Sequence, residues 1–257
     1  MEQSMFPPFS DVYAVIPAAG SGSRMAAERN KQLLAIAGQP VIVRTLSTFA
    51  AHPKIKGIVV VAPETEHDAF RLLIEEYGIP KVLAIVSGGA DRQASVYEGL
   101  KALEQTIDRP DTAAVLIHDG ARCLCSKPII DRTIDGLSAA RAVTAAIPLV
   151  DTIAEIEAEK QPTDEADSGT NIVHIESVPD RSQYWRIQTP QAFRLRDIII
   201  WHAASEGTSG RYTDDSAIAI AANTKVALVL GSEQNIKITT AFDLKLAEVF
   251  LSEESEK

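Results

Sequence analysis

Five short apolar runs, Val12–Pro17, Gly57–Ala62, Val82–Val86, Ala113–His118 and Thr144–Pro148, alternate with stretches of helical spacing. The stretches are Val41–Ala50, Glu64–Tyr77, Gln93–Gln105 and Lys127–Ala140. Runs this rich in Val, Ile and Leu suit strands buried on both faces, and intervening helices supply the crossovers that parallel strands require. The expected fold is therefore α/β, a mostly parallel, Rossmann-like sheet with helices on both faces. Ligands in such folds sit beyond the carboxyl ends of the strands. Three polar clusters fall at such ends: the loop after Pro17, Gly88-Gly89, and His118-Asp119.

From Asp151 the rhythm changes. Thr152–Ile156 and Ile172–Ser177 read as strands flanking a polar stretch, which predicts a protruding β-arm over about 151–187. The segment Glu155–Asp167 holds six acids against one lysine, and much of the net charge of −10 is local to it and to the tail. Beyond the arm the pattern predicts helices near Leu195–Ser205, Asp215–Ala222 and Asp243–Leu251. It also predicts a strand at Val226–Leu230 and a short strand and turn at Asn235–Thr240. No composition break marks a second domain, so residues 1–257 read as one domain with an excursion.

The acidic balance argues against a non-specific nucleic-acid binder. No apolar run approaches the length of a membrane span, and the first ten residues lack the basic and apolar regions of a signal peptide. Cys123 and Cys125, separated by one residue, suit neither a disulfide nor a metal site and read as free thiols of a reducing cytoplasm.

The first loop carries the clearest chemistry. Pro17-Ala-Ala-Gly-Ser-Gly-Ser-Arg24-Met25 follows the first strand, and Lys31 comes seven residues after Arg24. Small residues allow close backbone approach, and serial N–H groups in such a turn bind anions. A dinucleotide fingerprint would need a third glycine where Met25 stands, and a Walker loop needs a Gly-Lys pair that this chain lacks. With Arg24 and Lys31 the loop suits a nucleoside triphosphate.

Gly88-Gly89-Ala-Asp-Arg-Gln-Ala-Ser95 reads either as a base or ribose contact through Ser95, or as a strand-to-helix turn capped by Asp91. Asp119 at a strand end can accept from a sugar hydroxyl or hold a hydrated Mg²⁺. Arg122 can pair with Asp119 or with a phosphate, and His118 reads as a core histidine. Lys237, flanked by two apolar residues, is most easily explained by reaching into an anionic site. Thr213 precedes an expected N-cap and offers a hydroxyl. Thr239 and Thr240 read as caps of the last helix.

In order, Pro-Ala-Ala-Gly-x-Gly-x-Arg-Met, Lys-Gln, Gly-Gly-x-x-Arg-x-x-Ser-Val, His-Asp-x-Ala-Arg, Asp-Thr-Ile, Gln-Thr-Pro-Gln-x-Phe, Thr-Asp-Asp and Asn-Ile-Lys-Ile-Thr resemble the 2-C-methyl-D-erythritol 4-phosphate cytidylyltransferases, from about Val12 to Leu251. The resemblance implies transfer of CMP from CTP to methylerythritol phosphate with release of pyrophosphate, in the non-mevalonate route to isoprenoids. It implies that Ala18, Ala19, Gly20 and Gly22 line the triphosphate and that Arg24 and Lys31 neutralise it. Gly89 and Ser95 would contact cytosine, Asp119 and Gly120 the ribose and metal region, and Lys237 the α-phosphate. Thr213 would sit with methylerythritol phosphate, while Thr152 and Arg181 would come from the arm of the other subunit of a homodimer. Mg²⁺ would be held mainly by the CTP phosphates, with Asp119 nearby.

Three departures from the family pattern stand out. Asn30 replaces a proline before Lys-Gln, which is expected to loosen the loop, and Gly120 replaces an alanine. Cys123 likewise stands where proline is usual. Competing readings are a ribitol-5-phosphate cytidylyltransferase, a catalytically silent nucleotide-binding homologue and a nucleotide-sugar pyrophosphorylase. The first differs at the opening loop, at Arg-Gln-Ala-Ser and at Thr-Asp-Asp. The last lacks the Asn-Ile-Lys-Ile-Thr block.

Overall fold

A computed structural model describes residues 8–20, 30–156, 174–207 and 212–255. The chain runs β1 (Val12–Pro17), α1 (Val41–Ala51), β2 (Ile55–Ala62), α2 (His67–Glu76), β3 (Val82–Ser87), α3 (Arg92–Thr106), β4 (Ala114–Ile117), α4 (Lys127–Gly136) and β5 (Ala142–Pro148). It continues through β6 (Glu155–Ile156), β7 (Ile175–Ser177), β8 (Trp185–Arg194), α5 (Leu195–Ala204), α6 (Asp215–Ala221), β9 (Val226–Leu230) and α7 (Ala241–Ser255).

Seven strands form one sheet in the order β9-β5-β8-β4-β1-β2-β3. All pairings are parallel except those of β8, which runs against both β4 and β5. Alternate residues of each central strand enter opposite cores, as the two-residue period requires. Ala14, Ile16, Ile58, Val60 and Leu116 pack with α1, α2 and α4, whereas Val15, Val59, Val61, Val115 and Ile117 pack with α3, α5 and α6. Both faces being covered explains why these strands are apolar throughout.

Strand β8 is a correction to the sequence reading, which assigned no element to Trp185–Arg194. Its two ladders are interrupted on the β5 side between Ile187 and Gln191, where the Thr189-Pro190 peptide is cis. Proline is tolerated in a central strand only at such an irregularity. A second correction concerns Asn235–Thr240, which forms no strand. That segment is strapped down by isolated bonds, Ile238 N–H to Ala121 C=O at 2.9 Å and the Arg122 guanidinium to Asn235 C=O at 2.7 Å.

Where the arm is expected, β6 and β7 pair as a short antiparallel ladder. The acidic stretch from Glu157 to Thr170 lies outside the described residues. No helix among the described residues is long and apolar enough to cross a membrane.

Candidate active site

The carboxyl ends of β1, β3 and β4 surround a cavity of about 390 Å³. Its wall includes Ala19, Gly20, Lys31, Gly89, Ser95, Asp119, Gly120 and Lys237, and also Gln32, Asp91 and Arg92. Ala18 lies beneath this wall with its side chain in the core, its N–H bonded to Val61 C=O at 2.6 Å. Gly22 and Arg24 lie outside the described residues. A second cavity of about 220 Å³ adjoins the first and is lined by Thr213, Asp214, Arg122, Gln188, Thr189 and Gln191. Arg92, Asp119 and Lys237 line both.

Asp119 organises the junction. One carboxylate oxygen faces Arg92 Nε at 3.3 Å, and the other faces Lys237 Nζ at 3.0 Å and Arg122 Nε at 3.4 Å. Burial opposes ionisation of Asp119, but the charges of Arg92, Lys237 and Arg122 outweigh it and hold the carboxyl well below the usual carboxylate range. Arg92 continues the network, placing Nη2 2.9 Å from Asp215, whose other oxygen meets His202 Nε2 at 3.1 Å. Around the two cavities Arg92, Arg122, Lys237 and Lys31 face Asp91, Asp119, Asp214 and Asp215, so the charges of these described residues balance, with three of the cations gathered on Asp119.

His118 is a core residue, as expected. Burial pushes its pKa down to about 4, so the ring is neutral near pH 7. One donor order satisfies the contacts around it. Asp119 N–H donates to Thr189 Oγ1 at 3.1 Å, the Thr189 hydroxyl to His118 Nδ1 at 3.0 Å, and His118 Nε2–H to Arg122 C=O at 3.0 Å. This chain fixes the backbone of Asp119 and Arg122 from below.

Of the two readings of Gly88-Gly89, the capped strand-to-helix turn is the one seen. Asp91 caps α3 by accepting from Ala94 N–H at 2.8 Å, and the Ser95 hydroxyl accepts from Gly89 N–H at 3.1 Å. A Cβ on Gly89 would collide with Ala94, so the turn requires glycine by close packing. At Gly120 an added Cβ would meet Gln32 Oε1, the far end of a flexible side chain, so this position does not demand glycine as Gly89 does. Asp214 caps α6 in the way Asp91 caps α3, with Ala217 N–H at 2.8 Å. Thr240 and Asp243 cap α7 reciprocally, Asp243 accepting from Thr240 N–H at 2.7 Å and donating its own N–H to the Thr240 hydroxyl at 3.3 Å. That cap steadies the segment carrying Lys237.

The expectation that Asn30 loosens the loop falls partly on residues 21–29, outside the described residues; Asn30 itself is tied down, its amide donating to Ala18 C=O at 3.1 Å and to Glu66 at 2.6 Å. Thr152 and Arg181 lie exposed on the arm side, the Arg181 guanidinium bonded to Val150 C=O at 2.6 Å, and line neither cavity. Arg92, Asp215, Gln191 and Asn235 are the residues that the sequence reading left without a role. All four lie within quoted motifs, which was the available signal.

A family model described as 2-C-methyl-D-erythritol 4-phosphate cytidylyltransferase matches residues 12–253. Proteins of that name from Syntrophotalea carbinolica and Bacillus velezensis are 41% and 37% identical, over 93% and 94% of this chain and 96% of each relative. Among solved structures, 4-diphosphocytidyl-2C-methyl-D-erythritol synthase from Anaerococcus prevotii matches with a TM-score of 0.76 at 30% identity, covering 94% of this chain and 96% of its own. The 2-C-methyl-D-erythritol 4-phosphate cytidylyltransferase of Thermus thermophilus gives 0.69 at 28% identity, covering 95% and 100%.

Proposed function

The chain belongs to the 2-C-methyl-D-erythritol 4-phosphate cytidylyltransferase family, and we propose that its two adjoining cavities bring that family's substrates together at Lys237. It is a nucleotidyltransferase that moves CMP from CTP to 2-C-methyl-D-erythritol 4-phosphate, giving 4-diphosphocytidyl-2-C-methyl-D-erythritol and pyrophosphate for isoprenoid synthesis. The matches favour neither the ribitol phosphate reading nor the silent homologue.

In our assignment CTP occupies the larger cavity. Its triphosphate lies along Ala19, Gly20 and Lys31, with Gly22 and Arg24 from the same loop, and its base end lies toward Gly89 and Ser95. Methylerythritol phosphate enters the smaller cavity past Thr213. The observation that carries this reading is that Lys237, Asp119 and Arg92 stand on both walls, so a phosphate in one cavity meets the α-phosphate of a nucleotide in the other.

No general base is needed, because the nucleophile is a phosphate oxygen already ionised at neutral pH. The residues' task is to hold two polyanions in line and to offset charge as the α-phosphorus is attacked, by positioning and electrostatics. Lys31, Lys237 and Arg24 are the cations assigned to it.

A protein-held Mg²⁺ does not fit the described residues. Asp119 is already engaged by three cations, and no cluster of three or more His, Cys, Asp or Glu side chains gathers among them. We therefore assign Mg²⁺ to the phosphate oxygens of CTP.

The homodimer is proposed on the arm. Val150, Val178, Tyr184 and Trp185 stay exposed where the arm leaves the sheet, an apolar patch suited to a second copy, which would deliver Thr152 and Arg181. Cys123 and Cys125 are unpaired and buried, which supports a reducing, cytoplasmic setting.

The test is pyrophosphate release by purified protein with CTP and Mg²⁺, methylerythritol phosphate being compared with ribitol 5-phosphate. Release with methylerythritol phosphate, lowered on the order of 10²-fold in Lys31→Ala, is expected. Preference for ribitol phosphate would overturn the substrate assignment, and CTP binding without turnover of either would favour the silent homologue.

A further inference from the structure

Three chain segments meet at the side chain of Asn30, which is 8% exposed. Its Oδ1 accepts from Gln32 N–H at 3.1 Å and so caps the single turn Lys31–Leu33. Its Nδ2 donates to Ala18 C=O at 3.1 Å, at the carboxyl end of β1, and to Glu66 Oε2 at 2.6 Å, in the turn after β2. Ala18 is itself pinned to β2 through Val61. A one-turn 3-10 helix has poor hydrogen-bond geometry and no cooperative length to hold it. The turn carrying Lys31 therefore takes its place from what it is tied to.

We propose that Asn30 is a positioning residue for Lys31. Its amide bolts the turn to the end of β1, so that the lysine is delivered to the wall of the phosphate cavity. The role requires a donor and an acceptor on one short side chain, which asparagine supplies and aspartate does not. Aspartate would keep the cap on Gln32 N–H but would set a carboxylate against Glu66 and the Ala18 carbonyl. The inference rests on the cytidylyltransferase reading. A misplacement of about 1 Å is enough to cost a reaction of this kind on the order of 10²-fold.

The experiment is a double-mutant cycle on pyrophosphate release from CTP and methylerythritol phosphate. Asn30→Asp should lower kcat by about tenfold or more, with a smaller change in the KM for methylerythritol phosphate. In the Lys31→Ala background the same substitution should add less than about twofold, because the group it positions is gone. Asn30→Ala, which introduces no charge, serves the same cycle if Asn30→Asp does not fold. Equal losses in both backgrounds would show a role in folding alone and overturn the inference, as would near-parental turnover of both Asn30 variants. Absence of turnover by the unmodified protein would instead overturn the functional reading, and this inference with it.

Discussion

Lys237→Met is expected to lower the turnover number on the order of 10²-fold or more, the loss typical of removing one preorganised charge from a transition state. The side chain keeps an unbranched apolar stem and loses its charge. Asp119 retains Arg92 and Arg122, so the junction stays assembled and the fold should survive. The loss should appear chiefly in kcat, because Lys237 faces both cavities at the point where the new bond forms. Steady-state pyrophosphate release checks this. A variant within about tenfold of the parent would place the reacting phosphates elsewhere and leave Lys237 as a counter-ion to Asp119.

Asp215→Ala is expected to produce the largest loss of stability. Asp215 is fully buried and accepts from Arg92, 123 residues away along the chain, and from His202, 13 residues away. Its removal takes one partner from the Arg92 guanidinium, which is 25% exposed and keeps Asp119, and leaves the buried His202 ring unpaired, a change that costs about 3 kcal/mol. In a chain of this size that lowers the melting temperature by roughly 10 °C. Turnover should fall as well, since Arg92 links Asp215 to Asp119.

The pH dependence follows from the same carboxylates. Burial raises the pKa of Asp215, but Arg92 and His202 more than offset it and depress the folded value, as the three cations do for Asp119. The stability these groups contribute is fully present above the unfolded carboxylate value of about 3.9. It is lost as the pH falls through the depressed folded values. Acid unfolding should therefore be steeper in the parent than in Asp215→Ala. Thermal melts across the acid range test both points, and parallel curves for parent and variant would contradict this account.

Much of the fold was legible because local pattern and tertiary role agree. The bounds of β1 and β9 match the expected Val12–Pro17 and Val226–Leu230, where apolar runs end at small or polar residues. The N-caps at Asp91 and Asp214 were legible for the same reason, an acceptor three residues before a free N–H. Strand β8 was not, because Pro190 and the polar Gln188, Thr189 and Gln191 break its alternation. Those polar groups are buried for network reasons: Gln191 Oε1 accepts from Asp215 and Ser216 N–H, each at 3.1 Å. The Arg92–Asp215 pair joins residues 123 apart, a separation that no periodicity registers. Asn30 failed for a related reason. Only the structure places Ala18 and Glu66 within its reach.

The most direct measurement of the central claim follows the α-phosphorus. The protein would be supplied with CTP labelled at the α-phosphate, methylerythritol phosphate and Mg²⁺, and the products separated. In-line attack of the substrate phosphate at that atom predicts that all transferred label appears in the diphosphocytidyl product, with one unlabelled pyrophosphate per molecule formed. Label recovered in a nucleoside diphosphate, with the terminal phosphate passed to the sugar alcohol, would contradict it.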